Sequence, residues 1–336
     1  MEIRKLQKIK GGSFTLSLPK DWVEKRKLSR GEQIAVSEEE DGSLRLRPVG
    51  TSSERPLEVE LLLEDYPSFR ALEYSIATYY IQGTNKINIT SKKIIPAEQK
   101  RRLKRLRTDL PGVEIAEEEA ERLSFQILLD PTAFSLKSLI EKTSAFSLHL
   151  QEDAVRSLIK QNFPLAEEVL ERGREAQRHY RMTIRQVALA SLSKVIADAV
   201  GVENCQECIT FALVARDLNR LVYHASSIAR HVLNSRKAPV DQKILDLLSD
   251  MSKAAHEMQR KAIHAFLEKD VKQAVATVEQ MDTIRKAEKE LLTKIVRTRD
   301  VDTAVTLGMI ARDLRRIAGY SVAIADDAMN RILTPA

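Results

Sequence analysis

The sequence predicts a multi-domain, helix-rich protein. It has an N-terminal β-hairpin domain over residues 1–48, a small α+β middle domain over 57–130, and an all-α region over 133–334 built as tandem three-helix bundles (133–234 and 240–334). Three observations predict this. Charged residues are 30% of the 336 and aromatics only 5%, a composition of helices rather than of all-β layers. Strand-like patterns occur within the first 130 residues, and after Asp130-Pro131 the apolar residues recur at helical spacing almost to the end. Finally, a stretch of the helical region repeats itself.

In the first domain, Phe14, Leu16 and Leu18 alternate with Thr15 and Ser17, the pattern of a half-buried strand. Gly11-Gly12 supplies a turn before it, and Pro19 ends it and opens a short helix through Trp22 and Val23. Ile34 and Val36, then Leu44 and Leu46, form a hairpin around Asp41-Gly42, with Arg45 and Arg47 on its other face. About eight inward apolar residues in fewer than 50 are too few for independent stability, so a second copy must complete the core. A homodimer is the expectation. Residues 49–56 read as a linker.

The middle domain alternates strands (57–63, 86–89, 113–115, 125–129) with helices (68–81, 96–106), an α+β sandwich with no phosphate loop or paired catalytic signature. Six helices follow, near 133–162, 164–198, 203–234, 240–268, 270–297 and 300–333. Asn162-Phe163-Pro164, Gly201 and Ala238-Pro239 mark breaks between them.

The repeat sits in the third helix of each bundle. At a constant offset of 96, Val214–Asn234 and Ile310–Asn330 share 8 identities in 21 positions, including Ala-Arg-Asp-Leu at 215–218 and 311–314 and the arginines Arg220 and Arg316. The seam Val214, Leu218, Leu221, Ala225, Ile228, Val232 is spaced to bury one stripe in a bundle core. Earlier helices pair more weakly at an offset of 108, where Gln151, Ala154 and Ala166 match Gln259, Ala262 and Ala274.

Two cysteines cannot staple a chain of this length, and Met1-Glu2-Ile3-Arg4-Lys5 leads into no apolar signal region. With no apolar run of spanning length, a soluble, cytoplasmic protein without membrane insertion is expected. The net charge of +6 is mild, but it is unevenly placed. Residues 1–30 hold nine Lys and Arg against three acids, whereas residues 31–50 hold two against five.

The tandem bundles with a repeated Arg-Asp-Leu-x-Arg-[Leu/Ile] resemble the PhoU family of phosphate-uptake regulators over about residues 133–334. Arg4-Lys5-Leu6-Gln7-Lys8 followed by Gly12-Ser13-Phe14-Thr15-Leu16-Ser17-Leu18-Pro19-Lys20 resembles the opening of a SpoVT/AbrB-type swapped-hairpin DNA-binding domain. Leu28-Ser29-Arg30-Gly31-Glu32 and Asp41-Gly42-Ser43-Leu44 are similar to that family's later turns. The second likeness also implies a dimer. Together they resemble archaeal-type regulators that join the two parts.

Double-stranded DNA is therefore the expected partner, with Arg4, Lys5, Lys8, Lys10, Ser13 and Lys20 as contacts. A dimer would read a roughly palindromic site. The PhoU resemblance also implies an acidic motif, Glu-x-x-x-Asp, which holds multinuclear metal clusters in several members. Aligned on Arg220 and Arg316, its positions here are Asn219 and Tyr223, then Arg315 and Gly319. Iron or manganese needs anionic oxygen or imidazole ligands, so no metal and no cofactor is expected, and Asp217 and Asp313 should partner nearby arginines.

Other features have plain readings. Residues 92–107 carry eight bases and one acid on a predicted helix. A solvated face is the default there, with a second DNA-backbone contact or a phosphate or nucleotide effector site as alternatives. Cys205-Gln206-Glu207-Cys208 lacks a second pair at zinc spacing, and both sulfurs should pack in the core. The histidines are scattered; His224 and His231 share a helix face but have no carboxylate at ligand spacing. No catalytic constellation stands out, so an enzyme is not expected. The sequence points to a dimeric DNA-binding regulator of phosphate uptake whose helical repeats sense or relay phosphate status. The alternative is an adaptor that docks on a phosphate transporter's ATPase or a signalling protein. A metal-storing or metal-sensing bundle is a third, remoter reading, disfavoured by the lost acidic motif.

Overall fold

The computed structural model describes residues 3–9, 11–38, 42–49, 58–235 and 240–332. The chain separates into two compact units, Met1–Leu57 and Glu58–Ala336.

In the first unit, β1 (Gln7–Lys8) and β2 (Phe14–Thr15) pair antiparallel, with Lys8 opposite Phe14. The turn between them needs glycine, since Gly11 and Gly12 have φ of 121° and 96°. Helix α1 (Lys20–Lys25) follows Pro19. Strands β3 (Ile34–Glu38) and β4 (Leu44–Pro48) form the expected hairpin, with Ile34 opposite Pro48 and Glu38 opposite Leu44. Asp41 of its turn lies outside the described residues, as do residues 50–56 of the expected linker. The expected strand through Leu18 is shorter, because only Phe14 and Thr15 find a paired neighbour. It is not half-buried either: Phe14 and Leu16 are 60% and 51% exposed. The cause is the missing second layer. No described residue of this unit is buried, and Ile3, Leu6, Ile9, Val36, Leu44 and Val49 are exposed with them.

The second unit begins with a four-stranded sheet in the order β5-β6-β8-β7, made of β5 (Glu58–Leu62), β6 (Lys86–Thr90), β7 (Val113–Glu118) and β8 (Arg122–Ile127). The pair β5–β6 is parallel and the other two are antiparallel. Helix α2 (Phe69–Ile81), whose first turn is capped by Ser68 accepting from Ala71 N–H, supplies the β5-to-β6 crossover. Helix α3 (Ala97–Asp109) leads into the β7–β8 hairpin. Alternation puts Leu61, Ile87, Ile89, Leu123 and Phe125 on one sheet face, where they bury Leu72, Ile76, Tyr80, Leu103 and Leu106 of the helices.

Eight helices follow where the sequence suggested six: α4 (Leu136–Ile159), α5 (Phe163–Leu192), α6 (Lys194–Val200), α7 (Cys205–Asn234), α8 (Gln242–Glu268), α9 (Val271–Glu279), α10 (Met281–Ile295) and α11 (Val301–Ile332). The expected 164–198 helix breaks at Ser193, which is extended (φ −138°, ψ 114°). This turn lets Ala197 and Val200 of α6 enter the core, which a straight continuation of α5 would not do. At Gln280 the expected 270–297 helix only bends, for that residue stays αR while Met281 and Ile284 pack inward. The other breaks fall as read. Asn162 caps α5 by accepting from Leu165 N–H, and Gly201 ends α6 at φ 80°. Ala238-Pro239 lies outside the described residues.

The repeat offsets reappear as an approximate two-fold relation. Gln151 Nε2 donates to the Ser252 carbonyl at 2.8 Å, and Gln259 Nε2 donates to that of Ser144 at 3.2 Å. Each residue is the 108-offset equivalent of its counterpart, so α4 and α8 run antiparallel. The α+β layer is fixed to α5 by Arg185, only 2% exposed. Its guanidinium donates to the carbonyls of Tyr80 and Thr84 at 2.5 and 2.9 Å and to Asn85 Oδ1 at 3.0 Å. Burial without a carboxylate lowers its pKa, and the same burial pushes the Tyr80 phenol up to about 12.

Candidate functional site

The expected DNA contacts all fall on exposed positions of the first unit. Arg4 and Lys5 precede β1, Lys8 lies in β1, and Ser13 stands at the foot of the glycine turn, where its carbonyl accepts from Ile9 N–H at 2.9 Å. The turn thus brings Lys8 and Ser13 to the same small hairpin. Lys20 opens α1 and faces Glu24 at 3.5 Å across one helical turn, both side chains in solvent. Such a pair is weak and easily exchanged for a phosphate. Lys10 lies outside the described residues.

The repeated motif of the bundles resolves into two unequal halves where α7 and α11 cross. Asp313 does not partner an arginine, as the sequence suggested. Its Oδ1 receives His224 Nδ1 at 2.8 Å and its Oδ2 lies 3.5 Å from His231 Nε2. Burial opposes the charge of Asp313, but hydrogen bonds from His224, His231 and Ser227 overcome it and hold the carboxyl at about 2. These histidines do have a carboxylate, supplied from 89 residues away. Ser227 Oγ also reaches His231 Nε2, at 3.3 Å, yet serine and aspartate address the same ring nitrogen. A catalytic relay needs one nitrogen for each, so this is a hydrogen-bonded junction rather than a triad.

The equivalent positions at an offset of 96 are Asp217 and Asp327, an acid pair where the other half has Asp313 and His231. Asp217 is 1% exposed; Oδ1 accepts from Arg216 Nε at 3.0 Å, as expected, and Oδ2 has no partner. Burial raises its pKa against the pull of Arg216. Asp327 is pushed up to about 7, first by burial and then by the charge of Asp217.

The family's metal motif does not fit here. Asn219 Oδ1 is taken by Gln177 Nε2 at 2.8 Å, Tyr223 points to solvent with 51% exposure, Arg315 pairs with Glu288 at 3.1 Å, and Gly319 has no side chain. Neutral and cationic groups cannot compensate a di- or trivalent cation. Among the described residues no group of three or more His, Cys, Asp or Glu is placed to hold a metal. Cys208 is a buried free thiol, and the side chain of Cys205 lies outside the described residues.

The basic helix α3 is partly neutralised by the neighbouring acids. Arg102 meets Glu73 at 2.7 Å, Lys104 meets Glu118 at 2.8 Å, Arg107 meets Glu114 at 3.5 Å, and Lys100 bonds the Glu119 carbonyl. A groove of about 420 Å³ between α4 and α8 is floored by Val155 and Ile159 and rimmed by Arg156, Lys160, Lys253 and His256. No helix among the described residues is long and apolar enough to cross a membrane.

Comparison with known proteins matches these parts. The model of the PhoU domain matches residues 140–232 and 248–328, one copy in each bundle. The model described as antidote-toxin recognition MazE, bacterial antitoxin, matches residues 7–54. Among solved structures, PhoU from Pseudomonas aeruginosa is similar at 18% identity, with a TM-score of 0.51 over 58% of this chain and 93% of that one. The phosphate transport system regulatory protein PhoU from Streptococcus pneumoniae is similar at 16% identity, with a TM-score of 0.51 over 58% of this chain and 91% of its own. Likeness at such identities concerns the fold of the helical region. No curated protein matches the chain.

Proposed function

Because the chain belongs to the PhoU family, whose domain it matches twice over more than half of its length, we propose that it is a dimeric, DNA-binding regulator of phosphate uptake acting in the cytoplasm. The observation that carries this reading is the first unit: a basic β unit without a single buried residue among those described, and similar to MazE. An apolar surface of that kind is stable only when a second copy covers it, and the pairing presents two sets of cations to one duplex. Arg4, Lys5, Lys8, Lys10, Ser13 and Lys20 make the phosphate contacts in this reading. The helical repeats relay phosphate status. The likeness to a phosphate transport system regulatory protein supports that role.

The test is a gel-shift titration of duplex from the protein's own upstream region, with the full chain and with a chain lacking residues 1–48. Binding that steepens as salt falls and disappears with the deletion supports the reading. Equal binding by both chains would sink it.

A second reading, an adaptor docking on a transporter ATPase or signalling protein, is favoured by one feature. Val296, Val301 and Val305, at the junction of α10 and α11, are 60–76% exposed. In that case the first unit serves only to dimerise, and duplex has no effect.

A further inference from the structure

The structure sorts the bases of the α3 region into two sets. Arg102, Lys104 and Arg107 are tied to Glu73, Glu118 and Glu114, and Lys100 to a carbonyl, so these side chains hold the helix to its own sheet and neighbours. Lys92 lies in the field of Glu64. Lys93, Arg101 and Arg105 remain: all three are exposed, and among the described residues none has a carboxylate partner. Glu98 and Asp109, the other acids of the helix, pair with none of them. Arg101 and Arg105 stand one turn apart on the same face, and Lys93 lies in the segment leading into the helix.

We infer that this outward face of α3 is a second contact for the phosphate backbone of duplex DNA, separate from the N-terminal unit. Three features favour a polyanion over an acidic protein. First, the face carries only cations, and Ile94 is the one large apolar side chain exposed between residues 91 and 109. Protein interfaces draw their affinity from buried aromatic and apolar anchors, which a phosphate backbone does not require. Second, two of the three cations are guanidinium groups, which match phosphate oxygens two at a time. Third, nine residues separate Pro48 from Glu58, a stretch that extends no further than about 35 Å. A duplex held by the N-terminal unit is therefore presented at high effective concentration to a cationic face of the next domain. The inference rests on the DNA-binding reading above.

The experiment uses the full chain and its salt dependence. One variant carries Lys93→Ala, Arg101→Ala and Arg105→Ala; a charge-matched control carries Arg102→Ala, Lys104→Ala and Arg107→Ala. Binding to operator and to unrelated duplex is titrated between low and physiological salt. The first variant should lower the slope of log affinity against log salt by about 2 to 3 and weaken binding about tenfold at physiological salt, alike for both duplexes. The control should leave the slope in place. An unchanged slope in the first variant, with Lys8→Ala still weakening binding, assigns the face to solvent or to an acidic protein and overturns this inference alone. Equal losses in both variants would show a general effect of net charge and overturn it too. A wild-type chain indifferent to duplex would remove both readings.

Discussion

The N-terminal unit and the helical body treat apolar residues in opposite ways. In the body, Leu218, Leu314, Ile228 and Ile324 are completely buried, and the equivalent positions of the two repeats are buried together. In the first unit Phe14 and Leu16, placed by an equally regular pattern, face solvent. The difference is one of chain length and layering. Each three-helix repeat can close around its own seam and then against its twin, whereas fewer than 50 residues of hairpin have no second layer to close on. A periodic pattern therefore says which face wants to be buried, and only the amount of available chain says whether it is buried alone.

The sharpest way to break that comparison is to charge the open face. Leu16→Asp should convert the dimer to monomer in light scattering and abolish duplex binding, while the helical signal in circular dichroism stays. A variant that remained dimeric would mean the bundles, not the hairpins, hold the copies together. The next largest effect is expected inside the body. Arg185→Ala strands three buried acceptors and should cost about 3 kcal/mol in chemical denaturation. A loss near zero would show that water enters to satisfy those acceptors.

A smaller effect is the pH response of the acid pair. The folded chain holds the Asp327 proton up to about 7, whereas the unfolded chain releases it near the ordinary carboxylate value of 3.8. Between these limits the folded state binds more protons, so stability falls as pH rises through the window and levels off above it. Asp327→Asn should flatten that slope in thermal melts. Equal slopes in both proteins would place the titration elsewhere. Asp313, held at about 2, has the opposite sign: its contribution is present above the ordinary value and is lost only as pH falls toward 2. The smallest effect belongs to the surface, where Glu24→Ala should move stability by no more than about 0.5 kcal/mol. For the metal motif, elemental analysis of purified protein should find no stoichiometric iron or manganese; more than one tightly held ion per chain would show the alignment on Arg220 and Arg316 to be wrong.

Much of the fold was legible because it is written locally. The strands and helices of the α+β layer came within a few residues, since alternation, the Ser68 cap and the glycine at 112 act over short spans. The tandem repeat was legible because identical spacing recurs at 96 and 108. The break at Ser193 was not, for it is decided by where Ala197 and Val200 find core. The candidate DNA contacts could be named as residue types at an exposed turn. The partition of the α3 bases could not, because Glu73 and Glu114–Glu118 reach them only through the folded sheet.

The sequence by itself determined the order of the three regions, the helical seams and the loss of the acidic motif, all properties of residue type and spacing. The tertiary structure alone decided that Asp313 meets His224 while Asp217 meets Asp327, that Arg185 is buried without a counter-ion, and that the first unit stands open. The reason is that charge, burial and pairing depend on distance through space. Residues 89 or 105 positions apart have none until the chain has folded.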